Sequence, residues 1–238
     1  MLSDFGLRRR DEITIIPNGS RARQALVSRP FAIRRDGGKS LPLRLFAGSH
    51  AVHKKVEMLF SIAGELGALG LDIWVAGASG MYFSAIDSRP PPSNLRMLGF
   101  VTDDDLAAVY RKAFCFAFTS LTERFGLPAL EAMALGCPVV ASNTASLPEV
   151  CGDAALFADP KSQRGWLGEI ERLHAEPDLA RDLRAKGARQ AGRFSWKTSA
   201  QAYLDIITSL FPGAAPEQKG EVDSSMQSAK ALHGGTAS

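Results

Sequence analysis

The sequence predicts an α/β protein built on a doubly wound parallel sheet. Two observations carry that expectation. Short, largely apolar segments recur along the chain: PLRLFA at 42–47, LDIWVAG at 71–77, FCFAF at 114–118 and PVVAS at 138–142. Between them lie stretches with helical periodicity. Strands apolar on both faces belong to a sheet covered on both sides, and alternation with helices makes that sheet parallel. Such sheets bind ligands at the C-terminal ends of their strands.

The elements follow in order. EITIIP at 12–17 reads as a short strand closed by Pro17, Asn18 and Gly19, and the glycine pair at 37 and 38 marks a linker. The strand at 42–47 ends at Gly48, and a helix is expected from about Lys54. Its face is Val56, Leu59, Phe60, Ala63 and Leu66. Strands at 71–77 and 95–100 come next. The segment DDDLAAVYRKA starts a helix with acidic residues in its first turn, where the dipole favours them. After the strand at 114–118, FGLPALEAMALG is a helix with Pro128 near its start and Gly136 at its end. The strand at 138–142, a short helix near 147–150 and the strand at 154–158 complete the sheet pattern. Residues 161–210 read as helices, the last from about Trp196 to Leu210 with an apolar stripe of Tyr203, Ile206, Ile207 and Leu210. From Pro212 the composition is that of a disordered tail.

Composition narrows the function. A formal charge of +3 and a pI near 8.8 lack the dense cationic stripe of a nucleic-acid binder. The three cysteines, Cys115, Cys137 and Cys151, show neither a zinc-type pair nor a CxxC spacing, and each lies in or beside an apolar segment. Buried free thiols and a reducing, cytoplasmic setting are expected. No window approaches the roughly 18 apolar residues of a membrane span. The charged N-terminus is unlike a signal peptide. Gly77-Ala78-Ser79-Gly80 is neither a dinucleotide fingerprint nor a nucleophile elbow. Asp103 and Asp105 mimic a metal-binding DxD, but helix-start capping is the simpler account.

The informative stretch is TSLTERFGLPALEAMALGCPVVAS, 119–142. Glu123 lies in the loop, Gly126 lets the chain turn into the helix, and Glu131 follows Glu123 after seven intervening residues. The first-turn N–H groups and the helix dipole suit an anion. A carboxylate on either side of that helix end can accept two hydroxyl hydrogen bonds at once. A diol site, an anion site and a second diol site match a nucleotide sugar.

These residues resemble the retaining glycosyltransferases called group 1, or family 4, of GT-B architecture. Their E-x7-E motif is matched by Glu123-Arg124-Phe125-Gly126 and Glu131, followed by Pro138 to Ser142 and by Leu147-Pro148-Glu149-Val150. AGSHAVHKKV at 47–56 is similar to the family's diphosphate loop, and LRMLGFVTDDDLAAVYRKA to its base-contacting segment. The resemblance covers about residues 12–210, with FSWKTSAQAYL as the closing helix. It implies that Glu131 holds the ribose hydroxyls. Glu123 and the amides near Phe125, Gly126 and Leu127 would hold the transferred sugar, and Lys54 would neutralise the leaving diphosphate. It also implies that Phe100 and Val101 lie at the base. Ser49 and His53 occupy places where an arginine stands in many relatives, and Arg124 replaces the usual glycine. No metal is implied.

The same resemblance divides the chain. Residues 1–20 would be a remnant of an N-terminal acceptor domain and hinge, 40–196 the Rossmann-like donor domain, 197–211 the closing helix and 212–238 the tail. The implied function is transfer of a sugar from a nucleotide-diphosphate sugar with retention, this chain supplying the donor site and being incomplete alone. The alternative is a non-catalytic nucleotide-sugar-binding module, or a subunit completed by a separate acceptor chain. The implied partners are a UDP- or GDP-sugar and either that acceptor chain or a second copy through self-association. Nucleic acid is not expected, and contact with the inner face of the membrane is compatible with this reading.

Overall fold

The computed structural model describes Ile16, the backbone of residues 43–47, residues 55–76 and residues 92–210. The strand expected over 12–17 lies outside these except for Ile16, which is in neither strand nor helix. The glycine pair at 37 and 38, the Gly77-Ala78-Ser79-Gly80 turn and the tail also lie outside. The chain divides into two compact units, Met1–Ser199 and Ala200–Ser238.

The first unit holds a sheet of six strands: β1 (Leu43–Ala47), β2 (Leu71–Ala76), β3 (Leu95–Gly99), β4 (Cys115–Phe118), β5 (Val139–Ser142) and β6 (Ala155–Ala158). Every described pairing is parallel, in the order β3-β2-β1-β4-β5-β6. The chain winds outward from β1 to β3, returns, and winds the other way from β4 to β6. The reversal falls between β1 and β4, which pair from Leu45↔Cys115 to Ala47↔Ala117. Crossovers on the two sides of that point lie on opposite faces, and such a reversal is where open α/β sheets bind ligands.

The sheet is doubly covered, as its apolar strands require. On β4, Cys115 and Ala117 join one core and Phe116 and Phe118 the other. On β2, Ile73 and Val75 face one way and Trp74 the other, the period of two that a strand imposes. One core is filled by Leu59, Leu66, Trp166 and Ile170 from α1 (Glu57–Ser61), α2 (Ala63–Ala68) and α6 (Gln163–Ala175). The other takes Tyr110, Leu130, Met133 and Leu147 from α3 (Asp103–Lys112), α4 (Leu127–Ala134) and α5 (Leu147–Cys151). There Phe116 stacks on Phe118 with ring centres 5.3 Å apart and meets Tyr110 edge-on.

One expected element is corrected. The helix anticipated from Lys54 is two short helices that break at Ile62 (φ −111, ψ 17). The Ser61 hydroxyl donates to the Met58 carbonyl at 2.6 Å. That carbonyl is the acceptor the Ile62 N–H would need to continue the helix, and the Ile62 N–H turns to Phe60 instead. Of the expected face, Val56, Leu59, Ala63 and Leu66 are buried and Phe60 is only partly buried against the core, while Ile62, outside that face, is buried too.

Helix ends elsewhere follow local chemistry. Thr102 caps α3: its hydroxyl accepts the Asp105 N–H at 3.2 Å and donates to the Asp105 carboxylate at 2.8 Å. Asp103, Asp104 and Asp105 thus form the first turn, and the cap itself is the threonine before them. Residues 161–195 resolve into α6, capped by Ser162, and α7 (Pro177–Gly192). The final helix, α8 (Trp196–Leu210), has the bounds expected of it, and within the second unit its Tyr203, Leu204, Ile207 and Leu210 are exposed.

All three cysteines are free and buried. Burial pushes the Cys137 and Cys151 thiols from 9.0 up to about 12 and raises Cys115 as well. The folded protein should therefore show no thiol to an aromatic disulfide reagent near neutral pH, and three after denaturation. Because the folded thiols keep protons that the unfolded chain releases, stability should fall as pH rises from 9.0 toward 12. Ready labelling of the folded protein would contradict this packing.

Candidate functional site

The loop at 119–126 carries the chain from the C-terminal end of β4 into α4. Thr119 and Ser120 are buried at its root. At its far end Gly126 adopts a left-handed conformation, φ 92 and ψ 33. A Cβ there would sit 2.8 Å from Leu147 Cδ2 and 3.9 Å from Phe118 Cε1. The position thus excludes a side chain twice, by backbone strain and by contact. Gly126, the N-cap residue of α4, brings no side chain that could cap the helix. Pro128 has no N–H, and the Ala129 and Leu130 amides bond to the Gly126 carbonyl at 3.0 and 3.4 Å. Leu127 is the first residue of the helix, and the positive end of the dipole lies at this start.

The two carboxylates flank this turn. Glu123 is half-buried in the loop, its Cγ 4.0 Å from where a Gly126 Cβ would be. Glu131 is half-buried on α4, one turn beyond Leu127. Arg124 is exposed. Phe125 turns its ring to Phe194, edge-on with centres 5.6 Å apart. That ring anchors the loop to the segment between α7 and α8, so only the Phe125 backbone remains for a ligand.

Phe100 and Val101 follow β3 at the same edge of the sheet, with β2 and β1 between them and β4. Gly99 (φ 67) turns the chain there, and Phe100 is 88% exposed, an aromatic face with almost no protein against it. Ser49, His53 and Lys54 lie outside the described residues. Among the described residues no group of three or more His, Cys, Asp or Glu is placed to hold a metal ion. Nor is any described helix long and apolar enough to cross a membrane.

Sequence reasoning missed the residues behind the loop. Ser142, Thr144 and Ser146 follow β5 at alternate positions. Their hydroxyls donate to Phe118 O at 3.4 Å, to Ser120 O and Leu121 O at 3.4 and 3.3 Å, and to Glu123 O at 3.2 Å. The alternation of hydroxyls in SNTAS is the one visible signal, and it does not name its partners.

With this geometry in view, the comparisons with known proteins fall into place. The family model for glycosyl transferases group 1 matches residues 39–190, more than half of the chain. The chain belongs to this family. It is similar to O-antigen chain mannosyltransferase B of Escherichia coli, 45% identical over 103 residues, which cover 43% of this chain and 27% of that protein. It is also similar to the serotype-specific mannosyltransferase WbdA of Escherichia coli, 36% identical over 132 residues, or 56% of this chain and 16% of the relative. The chain thus spans about a quarter or less of the length of these curated relatives. The fold is similar to that of Anabaena HepE in complex with UDP and glucose, with a TM-score of 0.58 at 18% identity, over 70% of this chain and 48% of that one.

The Gly126 turn is testable by a double-mutant cycle. Gly126→Ala should cost about 2–4 kcal/mol, the sum of a left-handed alanine and an overpacked contact. Leu147→Ala alone should cost about 2–5 kcal/mol as a buried truncation. Because the new Cβ meets Leu147, the double mutant should lose about 1 kcal/mol less than the sum. Urea unfolding measures all three variants, and strict additivity would mean that the contact is not there.

Proposed function

We propose that this chain supplies the donor site for transfer of a sugar from a nucleotide-diphosphate sugar. The observation that carries the reading is the left-handed start of α4 at Gly126, a residue without a side chain that stands between Glu123 in the loop and Glu131 on the helix. In this reading Glu131 accepts the ribose hydroxyls. Glu123 and the amides of Phe125, Gly126 and Leu127 hold the sugar. Lys54, with Ser49 and His53 beside it, meets the diphosphate. Phe100 and Val101 lie at the base, the exposed ring of Phe100 offering a stacking surface. The mannosyltransferase names of two relatives favour a hexose of the mannose type.

The chemistry follows from this placement. The bond between the anomeric carbon and the diphosphate oxygen breaks, and the acceptor oxygen bonds to that carbon on the same face, with retention. The acceptor proton leaves with the nucleoside diphosphate. Charge grows on the departing oxygen, and a lysine and a helix N-terminus stabilise it there. That arrangement calls for no metal. Acceptor binding belongs to another domain or chain, because positioning both substrates needs a cleft closed from both sides. A reducing cytoplasm suits the three buried thiols.

Calorimetric titration with GDP-mannose, UDP-glucose and their diphosphates tests the reading. At least one pair should bind, with or without EDTA. Glu131→Ala should weaken both members of that pair by about 1–3 kcal/mol, since a carboxylate bonded to a diol is removed. Binding by wild type and mutant with equal affinity would remove Glu131 from the site, and no binding at all would remove the site.

A further inference from the structure

We propose that Ser142, Thr144 and Ser146 are a positioning ladder for the loop at 119–126, with Ser146 the rung that places Glu123. The inference rests on the donor-site reading above and adds residues to it.

The three hydroxyls meet the loop in chain order. Ser142 ends β5 and donates to Phe118, which ends β4. Thr144, two residues on, spans two carbonyls of the loop, Ser120 and Leu121. Ser146 donates to the Glu123 carbonyl. The rungs thus climb the loop in step, from its root to the residue proposed to hold the sugar.

Ser146 gives the more specific indication. It stands at the start of α5, where a serine ordinarily caps the helix by accepting an N–H of the first turn. Here it makes no such cap. Its hydroxyl goes to the loop instead. The next residue, Leu147, is fully buried and occupies the space that a Gly126 side chain would need. One hydroxyl and one methyl from adjacent residues thus fix two points of the loop, Glu123 and Gly126. Between the second and third rungs, Ala145 holds a left-handed conformation, φ 55, which a residue with a Cβ adopts only under constraint. Local strain and a forgone cap fall at the same junction.

The test compares wild type, Ser146→Ala and Ser146→Thr in two measurements. The first is the affinity ratio of a nucleotide sugar to its own diphosphate, with GDP-mannose against GDP and UDP-glucose against UDP. Ser146→Ala should reduce that ratio about five- to tenfold, the scale of one displaced hydrogen bond. It should leave diphosphate affinity and melting temperature nearly unchanged, and Ser146→Thr should restore the ratio. The second is hydrogen exchange across 119–127, which should quicken in Ser146→Ala and recover in Ser146→Thr. Equal loss of sugar nucleotide and diphosphate affinity would overturn the positioning role. So would unchanged exchange across the loop. If the wild type binds no nucleotide, the donor-site reading fails by itself, and the exchange data still decide whether Ser146 holds the loop.

Discussion

Gly126 can turn only as it does because Leu147 occupies the space in which any other residue would put its side chain. A left-handed φ of 92 and a 2.8 Å approach act on the same atom position. The turn lets β4 end, the loop cross and α4 begin within a few residues. It sets a residue without a side chain at the helix start, between Glu123 in the loop and Glu131 on α4. Each later feature of the candidate site depends on this junction.

The junction has its effect because of where the sheet puts it. Winding outward from β1 and then from β4 reverses the strand order between them, the position where open α/β sheets bind ligands. The loop after β4 leaves the sheet at that reversal. The end of β5 and the residues after it meet this loop through three hydroxyls and Leu147. The apolar core packs beneath it. Phe116, Phe118, Leu130 and Leu147 are all buried there in one cluster, which ties β4, α4 and α5 together. The chain thus places adaptable polar groups over a stiff apolar base.

Much of the fold was legible in the sequence. β4, β5 and β6 fall within a residue of their expected bounds, because short apolar runs closed by Gly, Pro or Ser leave little freedom. α8 was legible from its stripe. The break at Ile62 was not, because periodicity registers which residues are apolar and not where a helix hydrogen bond is lost. Thr102 was overlooked because three adjacent aspartates drew the capping argument one residue too far. At the site, Glu123, Gly126 and Glu131 were legible because they share one strand, loop and helix. The hydroxyls of Ser142, Thr144 and Ser146 were not, since their partners lie 23 or 24 residues earlier. The ring of Phe125 was not either: its neighbour Phe194 comes from the far end of α7.

The central claim is that the start of α4 is where the donor's anion and sugar sit. Backbone amide resonances followed by NMR during titration with a nucleotide sugar test it most directly. The account predicts that the largest shifts fall on Gly126 and Leu127, move downfield as hydrogen bonds form to a ligand oxygen, and saturate together. Saturable shifts confined to other parts of the chain, with Gly126 and Leu127 unmoved, would contradict it.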